Sequence, residues 1–352
     1  MFNKNLIKIK RDYYSNNERS KFICLDANER PFEFSKSELV KINRAIISQN
    51  YTKYPKNIKN LILLISRREK ISNKMISIHP GIDGCLKAIF ESLDKNKVIK
   101  LNCIYPTYGM VEVYSKIFNI KLKKINEMDN FDQSIFDGNP KIIYIANPNS
   151  PSGNLIDTNR LFSILKKCEK KKIFLILDEA YIEFSNQKSF AKYIKKYRSL
   201  IVLKSYSKTF GLPGIRVGYM LSNPINIMSF SKLKSIYDVS SLSLAVISYF
   251  EKNYYIIKNY LKTIKVNKIY ISTTCSKINL KYRITEGNFF YLIFAKKMIN
   301  KIINILKKNK FLVKKINDKN LQRNESSIRI TVGSISQLKE LFKYIEKVKR
   351  EL

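Results

Sequence analysis

The segment Ser205-Tyr-Ser-Lys-Thr-Phe-Gly-Leu-Pro-Gly-Ile-Arg-Val-Gly218 holds the most informative group of side chains in this 352-residue chain. Lys208 stands between the hydroxyl residues Ser207 and Thr209, and a glycine-rich turn leads from it to Arg216. The chain has 66 lysines and arginines, so a single lysine would mean little by itself. In this setting, however, a lysine amine can form an imine while its neighbours hold a phosphate. The segment therefore suggests pyridoxal 5'-phosphate (PLP) attached through Lys208.

Short apolar runs alternate with amphipathic stretches on both sides of this segment, which is the pattern of an α/β fold. Strands this apolar, when helices separate them, belong in a mostly parallel sheet that is sandwiched by helices. The predicted strands are residues 98–101, 120–123, 141–146, 173–177, 200–204 and 217–221. The predicted helices between them are residues 84–93, 107–118, 158–169 and 190–197.

The pattern changes after Pro224, where a smaller α+β domain is predicted. Its elements are a long helix over 242–271, a strand over 288–294, a helix over 298–308, strands over 311–315 and 327–332, and a helix over 337–349. The first 30 or so residues show no strong pattern and could pack against this domain. We therefore expect a large domain over 35–255, and a small domain formed by 1–34 and 256–352.

Composition excludes several classes of protein. No apolar run approaches the roughly 18 residues that cross a membrane, and the first residues lack the apolar region of a signal peptide, so we expect a cytoplasmic protein. Five scattered cysteines without a CxxC pair argue against a disulfide framework or a zinc site. The single histidine, His79, excludes an HExxH metal motif. We therefore expect no metal.

The formal net charge of +38 would attract nucleic acid or anionic membrane surfaces without specificity. Because lysine, isoleucine and asparagine are frequent throughout, we interpret this charge as compositional bias. We expect no specific nucleic-acid partner and no membrane partner. A charge-driven binding protein without enzymatic activity is the alternative outside the enzyme classes, and it predicts salt-dependent binding and no bound chromophore.

Asp178 is the second candidate for cofactor chemistry, because it ends an apolar run that begins at residue 173. In an open α/β sheet, ligands bind at the carboxyl ends of the strands. A buried carboxylate is costly without a partner, and a protonated pyridine nitrogen would supply one. Tyr181 lies three residues further on and could reach the phenolic oxygen of the same ring. The alternative for Asp178 is an N-cap at a strand–helix turn, and this residue alone does not decide between them.

Three further segments are weak signals by themselves. The loop over 147–153 contains two prolines and a glycine, which force a tight turn after another apolar strand. Tyr108 could stack on a flat heterocycle, although a tyrosine in the core is an equally simple interpretation. Residues 79–84 open a helix after a short strand, and the backbone N–H groups at a helix start bind phosphate.

In their order along the chain, these segments resemble the fold-type I PLP-dependent aminotransferases, and most closely the histidinol-phosphate aminotransferase group. The resemblance begins at Leu25-Asp-Ala-Asn-Glu-Arg-Pro31, which is similar to Leu-x-x-Asn-Glu-Asn-Pro. It continues through Lys53-Tyr-Pro-Lys56, similar to Arg-Tyr-Pro-Asp, and ends at Ile328-Arg-Ile-Thr-Val-Gly333. It implies a transferase that moves an amino group between glutamate and a phosphorylated acceptor, namely the histidinol phosphate pair of histidine biosynthesis.

The resemblance also implies roles around the cofactor. Lys208 would bind PLP and move the proton of the reaction, Asp178 would pair with the pyridine nitrogen, and Tyr181 would bond the ring oxygen. Tyr108 would stack on the ring. The residues that would hold the phosphate are Ser205, Ser207, Arg216 and the helix start at Ile82 and Asp83.

Three residues would serve the substrate or the assembly. Arg329 would bind the substrate carboxylate with two parallel hydrogen bonds, the geometry that a guanidinium favours. Asn28 lies in the segment that closes over the substrate in this family. Tyr54 would reach the substrate and the phosphate of the cofactor in the neighbouring subunit, which implies a homodimer.

The chain departs from the family pattern at four positions. Ser150 stands where the family has asparagine before Pro-Thr-Gly, and its shorter hydroxyl would contact the ring oxygen less well or through water. Asp83-Gly84 replaces Asp-Glu, and Arg30 replaces the second asparagine of Asn-Glu-Asn-Pro. Lys314 replaces an arginine tied to the substrate phosphate, which keeps the charge but loses the bidentate fork. The alternative is therefore a related PLP enzyme, either a decarboxylase of a phospho-amino acid or an aminotransferase for surface-polysaccharide precursors.

Overall fold

Two structural units make up the part of the chain that the structure, a computed structural model, describes: residues 7, 9, 19–94, 96–316 and 324–350. The larger unit contains Lys36–Tyr254, and the smaller unit contains residues 19–35 and 255–350. The strands are β1 Ile23–Cys24, β2 Ile76–His79, β3 Lys100–Tyr105, β4 Lys121–Asn126, β5 Ile142–Ala146, β6 Phe174–Asp178, β7 Leu200–Ser205, β8 Gly218–Ser222, β9 Tyr282–Ile284, β10 Phe289–Ala295, β11 Phe311–Leu312, β12 Lys314–Ile316 and β13 Glu325–Thr331. The helices are α1 Lys36–Ile47, α2 Ile58–Glu69, α3 Gly81–Glu91, α4 Gly109–Ile117, α5 Phe131–Ser134, α6 Thr158–Lys171, α7 Pro224–Ser231, α8 Ser241–Lys252, α9 Tyr255–Lys277, α10 Ile299–Lys308 and α11 Ile335–Arg350.

The larger unit is built on a seven-stranded sheet with the strand order β2-β8-β7-β6-β5-β3-β4. Strands β3 to β7 pair in parallel, whereas β8 pairs antiparallel with both β2 and β7. Every residue of β5 is buried, as expected for a strand covered on both faces. One face packs against α3, α4 and α7, and α6 packs against β6. The predicted α/β fold with a mostly parallel sheet is confirmed.

The smaller unit has an antiparallel sheet with the order β12-β13-β10-β9, and a separate parallel pair of β1 with β11. Helices α9, α10 and α11 pack against one another or against these strands. Along β13 the side chains alternate between faces, so Ile328 and Ile330 are fully buried while Arg329 lies on the opposite face. Because β1 pairs with β11, the segment that begins at residue 19 belongs to this unit.

Two elements differ from the sequence prediction. Residues 242–271 form parts of two helices, α8 and α9, because Asn253 leaves the helical conformation with φ −115 and ψ 45. Its side-chain amide donates to the carbonyl of Tyr249 at 2.8 Å and so satisfies a group at the helix end. Residues 311–315 belong to two strands in different sheets, since β11 pairs with β1 and β12 pairs with β13.

Other elements were shorter than predicted or were not predicted. Residues 190–197 contain a 3₁₀ helix over Phe190–Lys195 and not an α-helix. Helices α1, α2 and α7 and the three-residue strand β9 were not predicted. Among the residues that the structure describes, no helix is long and apolar enough to cross a membrane. All five cysteines are free thiols.

Gly218, the first residue of β8, approaches the backbone at the start of α3. A Cβ atom at this position would lie 2.7 Å from the carbonyl carbon of Gly81 and 2.9 Å from the amide nitrogen of Ile82. Backbone atoms cannot swing aside, so we expect Gly218→Ala to destabilise the protein by about 2 kcal/mol. Thermal denaturation measures this, with Gly214→Ala as the control, because no described atom lies within 4 Å of a Cβ there. Equal melting temperatures for the two variants would contradict the close approach.

Candidate functional site

Loops after neighbouring strands of the large sheet carry the predicted cofactor residues. Strands β3, β5, β6 and β7 lie side by side and run parallel, so their carboxyl ends meet at one edge of the sheet. Tyr108 follows β3, Ser150 follows β5, Tyr181 follows β6 and Lys208 follows β7. The pairing of Asp178 with Leu203 places the end of β6 beside the strand that leads to Lys208.

Asp178 is the last residue of β6 and is 5% exposed. Its Oδ2 accepts a hydrogen bond from the hydroxyl of Tyr144 at 2.6 Å, and its Oδ1 accepts one from the amide of Ala180 at 3.0 Å. Burial raises the pKa of Asp178 to about 6, the two hydrogen bonds oppose the rise, and the charge of Asp83 adds to it. Asp178 therefore shapes the turn after β6 and also presents a buried carboxylate that a nearby cation would stabilise.

Tyr144 was not predicted as a site residue. It lies inside β5 and is fully buried, and burial together with Asp178 raises the pKa of its hydroxyl. The signal that could have found it is a tyrosine in an otherwise aliphatic strand, because a buried tyrosine hydroxyl needs a hydrogen-bond partner. Tyr144 lies two residues before Ala146, which is paired with Asp178, so both side chains are on one face of the sheet.

The start of α3 gathers four of the predicted cofactor residues. Ile82 and Asp83 lie in its first turn, where backbone N–H groups lack intrahelical partners and the helix dipole favours an anion. Asp83 accepts a hydrogen bond from the hydroxyl of Tyr108 at 2.6 Å and lies 3.4 Å from the guanidinium of Arg216. The side chain of Tyr108 is 37% exposed, and its partial desolvation together with the charge of Asp83 raises the pKa of its hydroxyl. A Cβ on Gly81 would lie 3.2 Å from Arg216 Nη2, so glycine leaves this end of the helix open.

The Lys208 turn joins the end of β7 to the 3₁₀ helix before β8. The amide of Ser207 donates to the hydroxyl of Ser205 at 3.0 Å. The amide of Gly211 donates to the carbonyl of Lys208 at 3.1 Å, and the amide of Leu212 donates to the carbonyl of Tyr206 at 3.1 Å. Lys208 itself is half-buried. Hydrogen bonds thus hold the backbone of the turn both before and after the lysine.

The loop that contains Ser150 is tied to two neighbouring loops. The side-chain amide of Asn149 donates to the carbonyl of Pro106 at 2.8 Å and to Glu127 Oε1 at 3.1 Å. The hydroxyl of Ser152 donates to the same carboxylate oxygen at 2.9 Å. Neither Asn149 nor Glu127 was predicted, because an asparagine in a turn and a glutamate after a strand are common on protein surfaces. Ser150 is half-buried between these anchored residues.

Tyr54 has a different environment from the other predicted cofactor residues. Its side chain is 72% exposed, and its ring stacks on that of Tyr237 with the centroids 4.4 Å apart. Tyr237 is itself 48% exposed. The two rings form an aromatic pair on the surface of the larger unit as the single chain presents it. Tyr181, by contrast, is buried, with its ring centroid 6.3 Å from that of Phe184.

The smaller unit holds the predicted substrate residues. Arg329 donates through Nη2 to the carbonyl of Asp26 at 2.9 Å, and its guanidinium lies 5.4 Å from the centroid of the Phe289 ring. Within the described ranges, the buried Nε of Arg329 has no hydrogen-bond partner. Lys314 lies directly opposite Arg329 in the pairing of β12 with β13. Two cations therefore occupy neighbouring positions on one face of this sheet.

Asn28 lies close to the strand of Arg329. It is 2% exposed with φ +55, and its amide donates to the hydroxyl of Thr331 at 3.1 Å. Its carbonyl accepts from the side-chain amide of Asn288 at 3.1 Å. Arg30 has a structural place in the same unit, because its guanidinium lies 4.0 Å from the ring centroid of Phe34.

These groups fit PLP in type and in placement within the larger unit. A phosphate matches the open helix start beside Arg216, and a cationic ring nitrogen matches the buried carboxylate of Asp178. Lys208 supplies an amine in the turn beside the strand that ends at Asp178. The larger unit thus offers groups that suit the phosphate, the ring nitrogen and the aldehyde of the cofactor.

Comparison with known proteins gives consistent results. The family described as aminotransferase class I and II matches residues 20–345. The histidinol-phosphate aminotransferase of Buchnera aphidicola subsp. Schizaphis graminum is 30% identical, with 90% of this chain and 89% of that protein covered. The protein of the same name from Clostridium novyi is 31% identical, with 97% and 95% covered.

Two solved structures have the same fold. The crystal structure of histidinol-phosphate aminotransferase from Sinorhizobium meliloti in complex with pyridoxal-5'-phosphate has a TM-score of 0.87 and 20% identity, and covers 99% of this chain and 98% of that one. The L-threonine-O-3-phosphate decarboxylase from Porphyromonas gingivalis has a TM-score of 0.79 and 17% identity, and covers 93% and 99%.

The buried carboxyl of Asp178 predicts a dependence of stability on pH. Its pKa is about 6 in the folded protein and 3.8 ordinarily, so the folded protein keeps a proton that the unfolded chain releases between these values. The stabilisation from this group is complete below about pH 4 and is lost as the pH rises through 6. The full shift of the pKa corresponds to a loss of about 3 kcal/mol, and roughly half of this loss falls above pH 5.

We therefore expect Asp178→Asn, which has no charge to bury, to lose less stability than the unchanged protein between pH 5 and pH 8. Urea denaturation of the cofactor-free protein at both pH values measures this effect. Asp157→Asn is the control, because Asp157 is an exposed N-cap of α6 and asparagine caps equally well. An identical change in stability for Asp178→Asn and the unchanged protein would contradict the assignment.

Proposed function

The chain belongs to the aminotransferase class I and II family, and on this premise we propose that it transfers an amino group between glutamate and imidazole acetol phosphate, forming histidinol phosphate. The predictions of a fold-type I protein and of a PLP-dependent aminotransferase are confirmed. The observation that carries the substrate is the name histidinol-phosphate aminotransferase, borne by relatives about 30% identical over nine-tenths or more of this chain. The reaction would serve histidine biosynthesis.

The residues of the larger unit would hold the cofactor as follows. Asp178 would accept a hydrogen bond from the ring nitrogen, and the hydroxyl of Tyr181 would donate to the ring oxygen, with Ser150 near the same atom. Tyr108 would cover one face of the ring. The groups that would bind the phosphate are the hydroxyls of Ser205 and Ser207, the guanidinium of Arg216 and the amides of Ile82 and Asp83. When bound, PLP withdraws electrons from the substrate carbon that loses its proton.

Lys208 would attach the cofactor and then move the proton. Its Nζ would take the proton from the substrate Cα and deliver it to C4′ of the cofactor. This transfer requires the amine to be held at a fixed position. Asp178 would stay ionised when PLP is bound, because the protonated ring nitrogen would offset the cost of burying the carboxylate. Tyr144 would hold the carboxylate in its present orientation.

Arg329 and Lys314 would bind the anionic groups of the substrates. The unpartnered Nε of Arg329, among the described residues, leaves one side of its guanidinium available for a carboxylate. Lys314 adds a second positive charge directly opposite. Asn28, held beside β13 through Thr331, would contribute to the cover over the substrate.

We also propose a homodimer in which Tyr54 serves the neighbouring subunit, contacting its substrate and the phosphate of its cofactor. The support is the exposure of Tyr54 and its stacking on Tyr237, which together present a large aromatic surface. The resemblance to the aminotransferases implies the same arrangement. The cytoplasmic location and the lack of a specific nucleic-acid or membrane partner remain predictions from the sequence.

An absorbance experiment tests the reaction. We expect the purified protein to show the visible band of lysine-bound PLP and Lys208→Ala to lose it, because an alanine cannot attach the cofactor. The exposed Lys188→Ala is the matched control and should keep the band. Glutamate should bleach the band, and imidazole acetol phosphate should then restore it with formation of histidinol phosphate. A band that glutamate leaves unchanged would refute transamination.

A second candidate is decarboxylation of a phospho-amino acid. The observation in its favour is Lys314, which stands opposite Arg329 where the family resemblance implies a second arginine. A solved decarboxylase of L-threonine-O-3-phosphate shares the fold. Release of carbon dioxide from O-phosphothreonine or O-phosphoserine, together with a band that does not respond to glutamate, would favour this activity over transamination.

Mixing two defective variants tests the homodimer. Lys208→Ala and Tyr54→Ala each damage a different part of the site, and a mixed dimer would contain one site with both residues intact. We expect unfolding and refolding of an equal mixture to restore about a quarter of the normal activity, since half of the dimers are mixed and each has one intact site. The separate variants, refolded alone, are the controls. If the mixture is no more active than the two controls, Tyr54 does not act across subunits.

A further inference from the structure

A cluster of buried charges adjoins the Lys208 turn in the larger unit, and none of its members has a role in the reaction proposed above. We name it the buried ion network. Its members are Arg68, Glu69, Glu179, Glu183, Lys204 and Glu251. Lys204 and the side chains of Glu179 and Glu251 are at most 5% exposed.

Lys204 lies at the centre of the network. Its Nζ is 2.9 Å from Glu183, 3.5 Å from Glu179 and 3.7 Å from Glu69. Burial lowers the pKa of Lys204, but the three carboxylates more than offset it, so the pKa is raised and the amine stays charged. Arg68 supplies the second cation, with Nη1 2.7 Å from Glu251 and Nη2 3.2 Å from Glu69.

Two carboxylates of the network reach the turn on either side of Lys208. Glu183 Oε2 accepts a hydrogen bond from the hydroxyl of Thr209 at 2.8 Å, and its other oxygen bonds Lys204. Glu251 Oε1 accepts one from the hydroxyl of Tyr206 at 2.5 Å. Thr209 is 2% exposed and Tyr206 is fully buried, so the donor end of each bond is shielded from water. The lysine therefore lies between two residues that are anchored to the same set of charges.

Stability alone is a poor explanation for the network. Buried ion pairs cost desolvation, and apolar side chains of similar volume often stabilise a protein as well or better. The network also holds four carboxylates and two cations, and burial raises the pKa of Glu179 to about 7. The network costs desolvation free energy, but its bonds require one specific geometry. Such an arrangement is suited to holding the neighbouring backbone in one conformation.

We propose that Glu183 and Glu251 are positioning residues, which fix the Lys208 turn through Thr209 and Tyr206. The hydrogen bonds hold Tyr206, two residues before the lysine, and Thr209, directly after it, so they set the origin and direction of the lysine side chain. The consequence for the reaction rests on the proposed function, because it requires Lys208 to move the proton. The anchoring of the turn does not depend on that function and can be measured separately.

Paired substitutions distinguish the effect of losing a hydroxyl from the effect of changing the side-chain shape, at each of the two anchoring residues Thr209 and Tyr206. Thr209→Val removes the hydroxyl with little change in shape, and Thr209→Ser keeps it. Tyr206→Phe removes the bond to Glu251. Tyr219→Phe is its control, because the hydroxyl of Tyr219 bonds Arg68 and Glu69, neither of which is one of the two carboxylates that reach the turn. Two different anchors keep the test conclusive if one variant does not fold.

The first measurement is amide hydrogen exchange of the full-length protein, with and without added PLP and without substrate. We expect exchange in residues 206–212 to rise about tenfold in Thr209→Val and Tyr206→Phe. Thr209→Ser and Tyr219→Phe should match the unchanged protein in this segment. Faster exchange that is spread evenly over the large unit, or equal exchange in Thr209→Val and Thr209→Ser, would overturn the proposal.

The second measurement is steady-state transamination. Misplacing a group that acts only in the transition state lowers kcat more than it changes KM. We expect kcat to fall about tenfold or more in Thr209→Val and Tyr206→Phe, with KM for glutamate changed by less than about twofold. A change in KM alone would overturn the positioning role. If no variant and no unchanged protein transaminates, the proposed function fails, and the exchange result still decides whether the network anchors the turn.

Discussion

Parallel pairing of β3, β5, β6 and β7 is the constraint on which the cofactor site depends. It brings the carboxyl ends of these strands to one edge, although their loops are far apart in sequence. The pairing of Asp178 with Leu203 then sets the carboxylate beside the strand that leads to Lys208. A shift of this register by one residue would turn Asp178 to the other face of the sheet.

The larger unit keeps its buried charges in two different ways. Asp178 has neutral hydrogen-bond partners, Tyr144 and the amide of Ala180, and burial raises its pKa in spite of them. Lys204 is surrounded by carboxylates and stays charged. The first arrangement suits a group that gains from a cationic ligand, whereas the second is complete within the protein. This contrast separates a residue prepared to bind a ligand from residues that hold the backbone around it.

Several parts of this structure followed directly from sequence patterns. Continuous apolar runs predicted the central parallel strands, because such strands are buried on both faces, and the amphipathic stretch over 158–169 predicted α6. The break between α8 and α9 was missed because Asn253 carries only a weak signal for ending a helix. Tyr144 and Glu183 were missed as well. Their importance comes from partners in other elements, at residues 178, 204 and 209.

By itself the sequence determined the α/β class, the family, the cofactor and the candidate lysine, because each depends on local pattern or on ordered motifs. Only the tertiary structure decided which groups meet: Tyr108 with Asp83, Lys314 with Arg329, and the residues flanking Lys208 with Glu183 and Glu251. These contacts join positions up to 45 residues apart around the lysine. The physical reason is that burial raises the energy of every unpartnered polar group, so the fold selects partners by proximity in space, which a linear pattern does not contain.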